Sequence, residues 1–236
     1  MKKLIALIMV LIGIFGVTAA VSADSPLTST NFSRAYYHVD IVNEASGRNT
    51  ITSHMAAYLA DENNPIDVKA AIINALSWNI NGKNNAELYC EFIYGKPLEQ
   101  LDVAALSGDQ LFCIGYLLAL DDYNDTNQAW EYLKMARNNL SDSLTVALVT
   151  YLVEMMTAVS YDWQGQLNQI LADTGLNKDL TDDAIKVITD YMILGIDNPV
   201  NIPKTGAIPP EAVYGLGIII SAAGILSVRK RHIRHA

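Results

Sequence analysis

The two cysteines are the first residues whose type and spacing could carry chemistry. Cys90 lies late in one predicted helix and Cys113 lies early in the next, so an antiparallel turn would bring the two thiols together. Oxidation would close a 24-residue loop and add about 3 kcal/mol of stability. The alternative is a pair of buried, reduced thiols that pack as small apolar groups. The sequence leaves both alternatives open.

The histidines do not form a catalytic or metal-binding pattern. His38 and His54 are the only two between the terminal segments, and nothing in the sequence places either beside a cysteine. The combinations of His54 with Asp61 or Glu62, and of His38 with Asp40, lack the H-E-x-x-H spacing and a third ligand. We therefore predict no catalytic residue, no metal site and no cofactor, and do not expect an enzyme.

Two acidic loops raise a calcium hypothesis, residues 121–126 and 173–183. The twelfth position of an EF-hand loop requires a Glu. A loop that starts at Asp122 has Leu133 at this position, and the second loop has Ala184. Both loops fit helix caps and turns better than they fit calcium sites.

The most specific pattern lies near the end of the chain. A compact motif comes first, with the residues Ile202, Pro203, Lys204, Thr205 and Gly206. An uncharged run of 17 residues, 212–228, follows, and as a helix it would rise about 25 Å, just enough for a bilayer core. Four cations resist translocation and would stay in the cytoplasm; they are Arg229, Lys230, Arg231 and Arg234.

This order resembles the cell-wall sorting signal of Gram-positive surface proteins: a Leu-Pro-x-Thr-Gly motif, a hydrophobic span and a basic tail. Ile202 replaces the Leu, and the other positions match. The resemblance implies that sortase, a membrane transpeptidase, cleaves between Thr205 and Gly206 and joins the Thr205 carboxyl to peptidoglycan. The sortase class stays open, including one that builds pili. The alternative is an ordinary type I membrane protein in which the motif is a chance loop.

The start of the chain carries a secretory signal pattern. Lys2 and Lys3 precede an uncharged, mostly aliphatic run, and Val21-Ser22-Ala23 supplies small or short residues ahead of Asp24. We predict cleavage between Ala23 and Asp24, and the alternative is an uncleaved membrane anchor. Export followed by sorting predicts a wall-anchored protein that meets the membrane transiently as a precursor.

Charge and composition exclude several classes of protein. The 236-residue chain has a net charge of -9, and the segment 24–205 has 10 Lys and Arg against 24 Asp and Glu, or -14. Such acidity argues against nucleic-acid binding, and its simplest meaning is solubility outside the cell. A more specific alternative is that the acidic residues bind a basic partner or calcium. A hydrophobic fraction of 51% excludes a disordered chain.

The elements between the two ends read as helices, so we predict an all-α fold. About nine helices are expected. One starts at residue 65 and is broken at Gly82, and the others cover residues 32–45, 50–60, 85–94, 108–120, 126–138, 141–158, 162–171 and 181–194. Helix starts 34 to 43 residues apart favour a short α-solenoid, and an irregular bundle is the alternative. One segment weakly resembles a tetratricopeptide unit at Gly115, Leu118, Ala129, Leu133 and Ala136.

These predictions divide the chain into a signal peptide (1–23), a helical extracellular domain (24–196), a linker with the motif (197–206), a membrane span (207–228) and a basic tail (229–236). The linker is too short to lift the domain far from its attachment point. We therefore predict an interaction or structural module near the wall, with an unknown protein or peptide ligand. The alternatives are a wall-associated enzyme, such as a peptidoglycan hydrolase, and an accessory pilus subunit.

Overall fold

The computed structural model describes residues 25–157 and 162–197. Within these residues the chain is all-α, with ten α-helices, three short 3₁₀ helices and no β-strand. The α-helices are α1 (Pro26–Ser29), α2 (Asp40–Ser46), α3 (Ser53–Ala60), α4 (Ile66–Leu76), α5 (Asn85–Tyr94), α6 (Gly108–Asp121), α7 (Asn127–Asn139), α8 (Leu144–Thr157), α9 (Trp163–Ala172) and α10 (Asp182–Asp197). The 3₁₀ helices are Phe32–Tyr36, Leu98–Gln100 and Val103–Ala105.

Polar side chains fix several helix starts. Ser107 caps α6 in a reciprocal box with Gln110, and each side chain accepts from the other residue's backbone N–H. The Asp162 carboxylate accepts from the Gly165 N–H at the start of α9. The predicted helix 85–94 is confirmed as α5, and Gly95 ends it in the left-handed conformation at φ 62°.

Two predicted helices differ from the structure. The helix expected over 32–45 is a 3₁₀ helix followed by α2. The Ser33 N–H, a first-turn donor without a partner in its own helix, donates to the buried amide oxygen of Asn74 at 3.0 Å. The helix expected to break at Gly82 already ends at Leu76, where Ser77 adopts φ 62°. The ammonium of Lys83 donates to the carbonyls of Leu76 and Ser77 at 2.6 and 2.7 Å, which caps this early end.

Helix α6 lies at the centre of the core. It contacts α1, α3, α4, α5, α7 and α8, and its fully buried side chains include Phe112, Ile114 and Tyr116. It packs most extensively on α7, where a Cβ at Gly115 would come within 2.8 Å of the Leu133 Cγ. One helix with six neighbours is consistent with a helical bundle, whereas the repeats of a solenoid contact only adjacent repeats.

Buried polar groups connect elements that are far apart in sequence. The amide of Asn74 donates to the Thr30 carbonyl at 3.1 Å and to the Tyr116 hydroxyl at 2.9 Å. The ammonium of Lys69 on α4 pairs with the Asp109 carboxylate on α6. The Tyr36 hydroxyl donates to Asp67 at 2.9 Å and accepts from the Thr181 N–H at 3.1 Å. These bonds hold the first segment of the domain against α4, α6 and the start of α10.

Among residues 25–157 and 162–197, no helix is long and apolar enough to cross a membrane. The predicted membrane span, 207–228, lies outside the described residues.

Candidate functional site

Most sequence-predicted site residues lie outside the described part of the chain. They are the motif residues Ile202, Pro203, Lys204, Thr205 and Gly206, the cleavage residues Ala23 and Asp24, and the tail cations Arg229, Lys230, Arg231 and Arg234. The sorting and cleavage predictions therefore stay predictions.

The two cysteines lie within the described residues as free, buried thiols. The disulfide hypothesis is therefore replaced by the second alternative, two reduced thiols in the core. Burial raises the pKa of both Cys90 and Cys113 to about 12, because a thiolate is poorly solvated there. The Cys113 thiol lies 3.7 Å from the Leu59 carbonyl oxygen. Neither thiol has the exposure or the lowered pKa of a nucleophile.

The acidic loops are used as turns and caps. The Asp122 carboxylate accepts from the N–H groups of Asn124 and Asp125. The Asp179 carboxylate accepts from the N–H of Thr145 at 2.8 Å, which ties the second loop to α8. In the described ranges, no three His, Cys, Asp or Glu side chains are grouped to hold a metal ion. This arrangement agrees with the caps-and-turns alternative.

Both histidines in the described residues lie on the surface or against an aromatic ring. The His54 Nδ1 is 3.5 Å from a carboxylate oxygen of Glu44, in an exposed pair. The His38 ring lies 6.4 Å from that of Tyr36, between centroids. Their contacts are those of surface and helix-packing histidines.

A groove between α7, α8 and α9 combines amides, hydroxyls and one tryptophan, and we call it the amide groove. Its volume is about 440 Å³, which lies within the range of small-molecule sites. Two cations and two anions balance its charge. The lining residues are Trp130, Lys134, Arg137, Asn138, Ala147, Thr150, Tyr151, Glu154, Gln166, Gln169, Ile170 and Asp173.

Two residues that line the amide groove each have a buried polar atom without a hydrogen-bond partner. These atoms are the Thr150 hydroxyl oxygen and the Gln166 amide oxygen. Thr150 as a whole is only 6% exposed. A buried polar group without a partner costs about 1–3 kcal/mol. A water molecule or a ligand that bonded to these two atoms would remove this cost.

Helices α7 and α8 hold the rest of the amide groove in place. The Lys134 ammonium pairs with Glu131 at 2.7 Å and lies 5.5 Å from the ring centroid of Trp130. The Arg137 guanidinium donates to the carbonyls of Ser141 and Ser143 at the start of α8. Both cations are therefore engaged within the protein, and the amide and hydroxyl groups are better placed to select a ligand.

A second groove lies where α5 begins and α6 ends, and we call it the acidic groove. Asp121 is one of its lining residues and is 6% exposed. One of its carboxylate oxygens accepts from the Ala86 N–H at 2.7 Å, and the other has no partner. Burial raises the pKa of Asp121, and burial lowers the pKa of the neighbouring Lys83 to about 8, an effect that Asp121 opposes. This carboxylate caps α5, so it already has a structural role.

The sequence did not single out Thr150 or Gln166. The one available signal was a threonine inside the strongly apolar stretch Leu144–Thr157. Trp130 is half-buried at the groove, whereas Tyr132, two residues further on, is in the core. Comparisons with protein-family models, curated proteins and solved structures gave no match.

Proposed function

We propose that this chain is an exported protein that sortase anchors to peptidoglycan, and that its helical domain is an interaction module held close to the wall. One observation carries the anchoring proposal. The motif 202–206, the uncharged run 212–228 and the four terminal cations occur in the order of a sorting signal, behind an N-terminal export pattern. A five-residue motif alone is weak, but the ordered combination is specific.

The position of the last helix supports a location near the wall. Helix α10 ends at Asp197, only eight residues before Thr205. Eight residues span about 28 Å at most when fully extended. Attachment through the Thr205 carboxyl would therefore keep the bundle within reach of the wall polymer. In this proposal a signal peptide and a membrane span flank the bundle only in the precursor.

The described part of the domain supports binding better than catalysis. Both thiols are buried with raised pKa values, and Asp122 and Asp179 of the acidic loops accept hydrogen bonds from backbone N–H groups. The amide groove, in contrast, presents unpartnered neutral groups at a cavity of ligand size. Neutral donors and acceptors suit recognition of a ligand.

Wall fractionation of the cells that express the protein tests the anchoring step. We expect wild-type protein to stay with the wall after boiling in detergent and to be released by a muramidase. Thr205→Ala should shift it to the membrane fraction, because the acyl-enzyme step requires this residue. Lys204→Ala is the matched control, since the resemblance leaves this position free.

Mass spectrometry of the released protein then identifies its C-terminal residue. We expect a chain that ends at Thr205 and carries a wall peptide. Equal wall linkage of the Thr205→Ala variant, or recovery of a chain that ends at Ala236, would refute the proposal.

A further inference from the structure

The amide groove has a ligand-binding character that the sorting pattern does not explain. Its unpartnered atoms come from different helices, Thr150 from α8 and Gln166 from α9. Both helices are packed together in the fold, and both residues line one cavity. The two residues therefore belong to one candidate binding site and are not two unrelated packing defects.

The chemistry of the two atoms limits the ligand. The Gln166 oxygen only accepts hydrogen bonds, whereas the Thr150 hydroxyl both donates and accepts. A ligand that satisfies both needs neutral O–H or N–H groups together with oxygen acceptors. Asn138 and Gln169 add further amide donors and acceptors to the lining.

The remaining lining favours a sugar over a peptide. Balanced charges give no preference for a charged peptide, and no strand edge exists in the described residues for a peptide to extend. The half-buried Trp130 supplies an apolar ring next to planar amides. This combination matches a pyranose, which presents C–H groups on its faces and hydroxyls at its edge.

We propose that the amide groove binds a neutral glycan, with the Thr150 hydroxyl and the Gln166 amide oxygen as its buried hydrogen-bonding groups. This inference deepens the proposed function, because it rests on the interaction module, but it does not require the anchoring step. An acetamido sugar fits well, since its N–H donates to Gln166 while its hydroxyls meet Thr150.

Titration calorimetry on the full-length chain in a mild detergent tests the glycan site. The probes are a β-1,4-linked tetramer of N-acetylglucosamine, the matching glucose tetramer and tetra-alanine. We expect the acetamido tetramer to bind most tightly and tetra-alanine to give no heat. Tight binding of tetra-alanine with no response to either sugar would assign the groove to a peptide and overturn the proposal.

Two nearly isosteric variants test the named atoms. Thr150→Val and Gln166→Met should each weaken tetramer binding about three- to tenfold, the loss of one hydrogen bond. Gln164→Met is the matched control, because Gln164 is exposed on the same helix and is not part of the lining. Unchanged affinity in both groove variants, or no sugar binding by the wild-type chain, would overturn the proposal.

Chemical denaturation separates these outcomes from misfolding. Thr150→Val removes a hydroxyl that has no partner in the fold, so this variant should unfold at an equal or higher denaturant concentration. Weaker sugar binding by a protein of undiminished stability identifies a ligand contact. Because Thr205→Ala affects only wall linkage, failure of the glycan site and failure of anchoring give different results.

Discussion

The buried pair of Lys69 and Asp109 predicts an asymmetric response to mutation. The Lys69 side chain is 0% exposed, whereas that of Asp109 is 18% exposed and lies in the first turn of α6. Asp109→Asn leaves an ammonium without its counter-charge in the core, which costs about 3–5 kcal/mol. Lys69→Met leaves a carboxylate that water and the α6 N-terminus still stabilise, so its cost should be only about 1 kcal/mol.

Thermal unfolding followed by circular dichroism measures this difference. For a domain of this size, 1 kcal/mol shifts the melting temperature by about 2–4 °C, so Asp109→Asn should lose about 6–20 °C. Lys69→Met should lose only a few degrees. The double variant Lys69→Met, Asp109→Leu should recover most of the loss, since well-packed apolar groups replace buried ion pairs at little cost.

Equal losses in the two single variants would refute this argument, because they would mean that burial of the two partners does not set the cost. A loss of less than about 1 kcal/mol for Asp109→Asn would refute it as well, since an uncompensated buried charge must cost more.

Three further predictions concern the helix contact, the capping lysine and the thiols. Gly115→Ala should cost about 1–3 kcal/mol in denaturant unfolding because its Cβ meets α7 at 2.8 Å, whereas Gly47→Ala, with nothing within 4 Å, should cost nothing. The pKa of Lys83 is lowered from 10.5 to about 8 in the folded protein. Between pH 8 and pH 10.5, Lys83 therefore holds its proton in the unfolded chain and has lost it in the folded one. The melting temperature of the wild type relative to Lys83→Met should therefore rise from pH 8 to pH 10, and a constant difference would contradict this. Cys90 and Cys113 should react with iodoacetamide only after unfolding, which mass spectrometry of native and denatured samples would detect; modification of the native protein would contradict their burial.

The sequence predicts local structure where the determining atoms lie within a few residues. The cap at Ser107 and the left-handed Gly95 are such cases, and the helices beside them begin or end as expected. The first segment is different, because the partners of Ser33 and Tyr36 lie far along the chain: Asn74 is 41 residues beyond Ser33, and the Tyr36 hydroxyl bonds to Asp67 and Thr181. No window of neighbouring residues contains these partners, and periodicity alone predicts one continuous helix.

The amide groove illustrates the same limit at the candidate site. In the sequence, Thr150 is a minor interruption of an apolar helix, and Gln166 is one of several polar amides on the helix that becomes α9. Their shared cavity arises only from the packing of α7, α8 and α9. Export and sorting signals differ from such a groove in this respect, because the enzymes that act on signals of these kinds recognise linear sequence.

The Tyr36 hydroxyl, which bonds to the Thr181 N–H, has a consequence for the timing of folding. The two groups are 145 residues apart, and α1 also contacts α10. A chain that emerges from a ribosome or a translocation channel with its amino end first can therefore complete the docking of this end only when nearly the whole domain is out. Closure of the bundle is consequently a late event, and a chain truncated before Thr181 should leave its first segment more accessible to proteases than the full-length chain does.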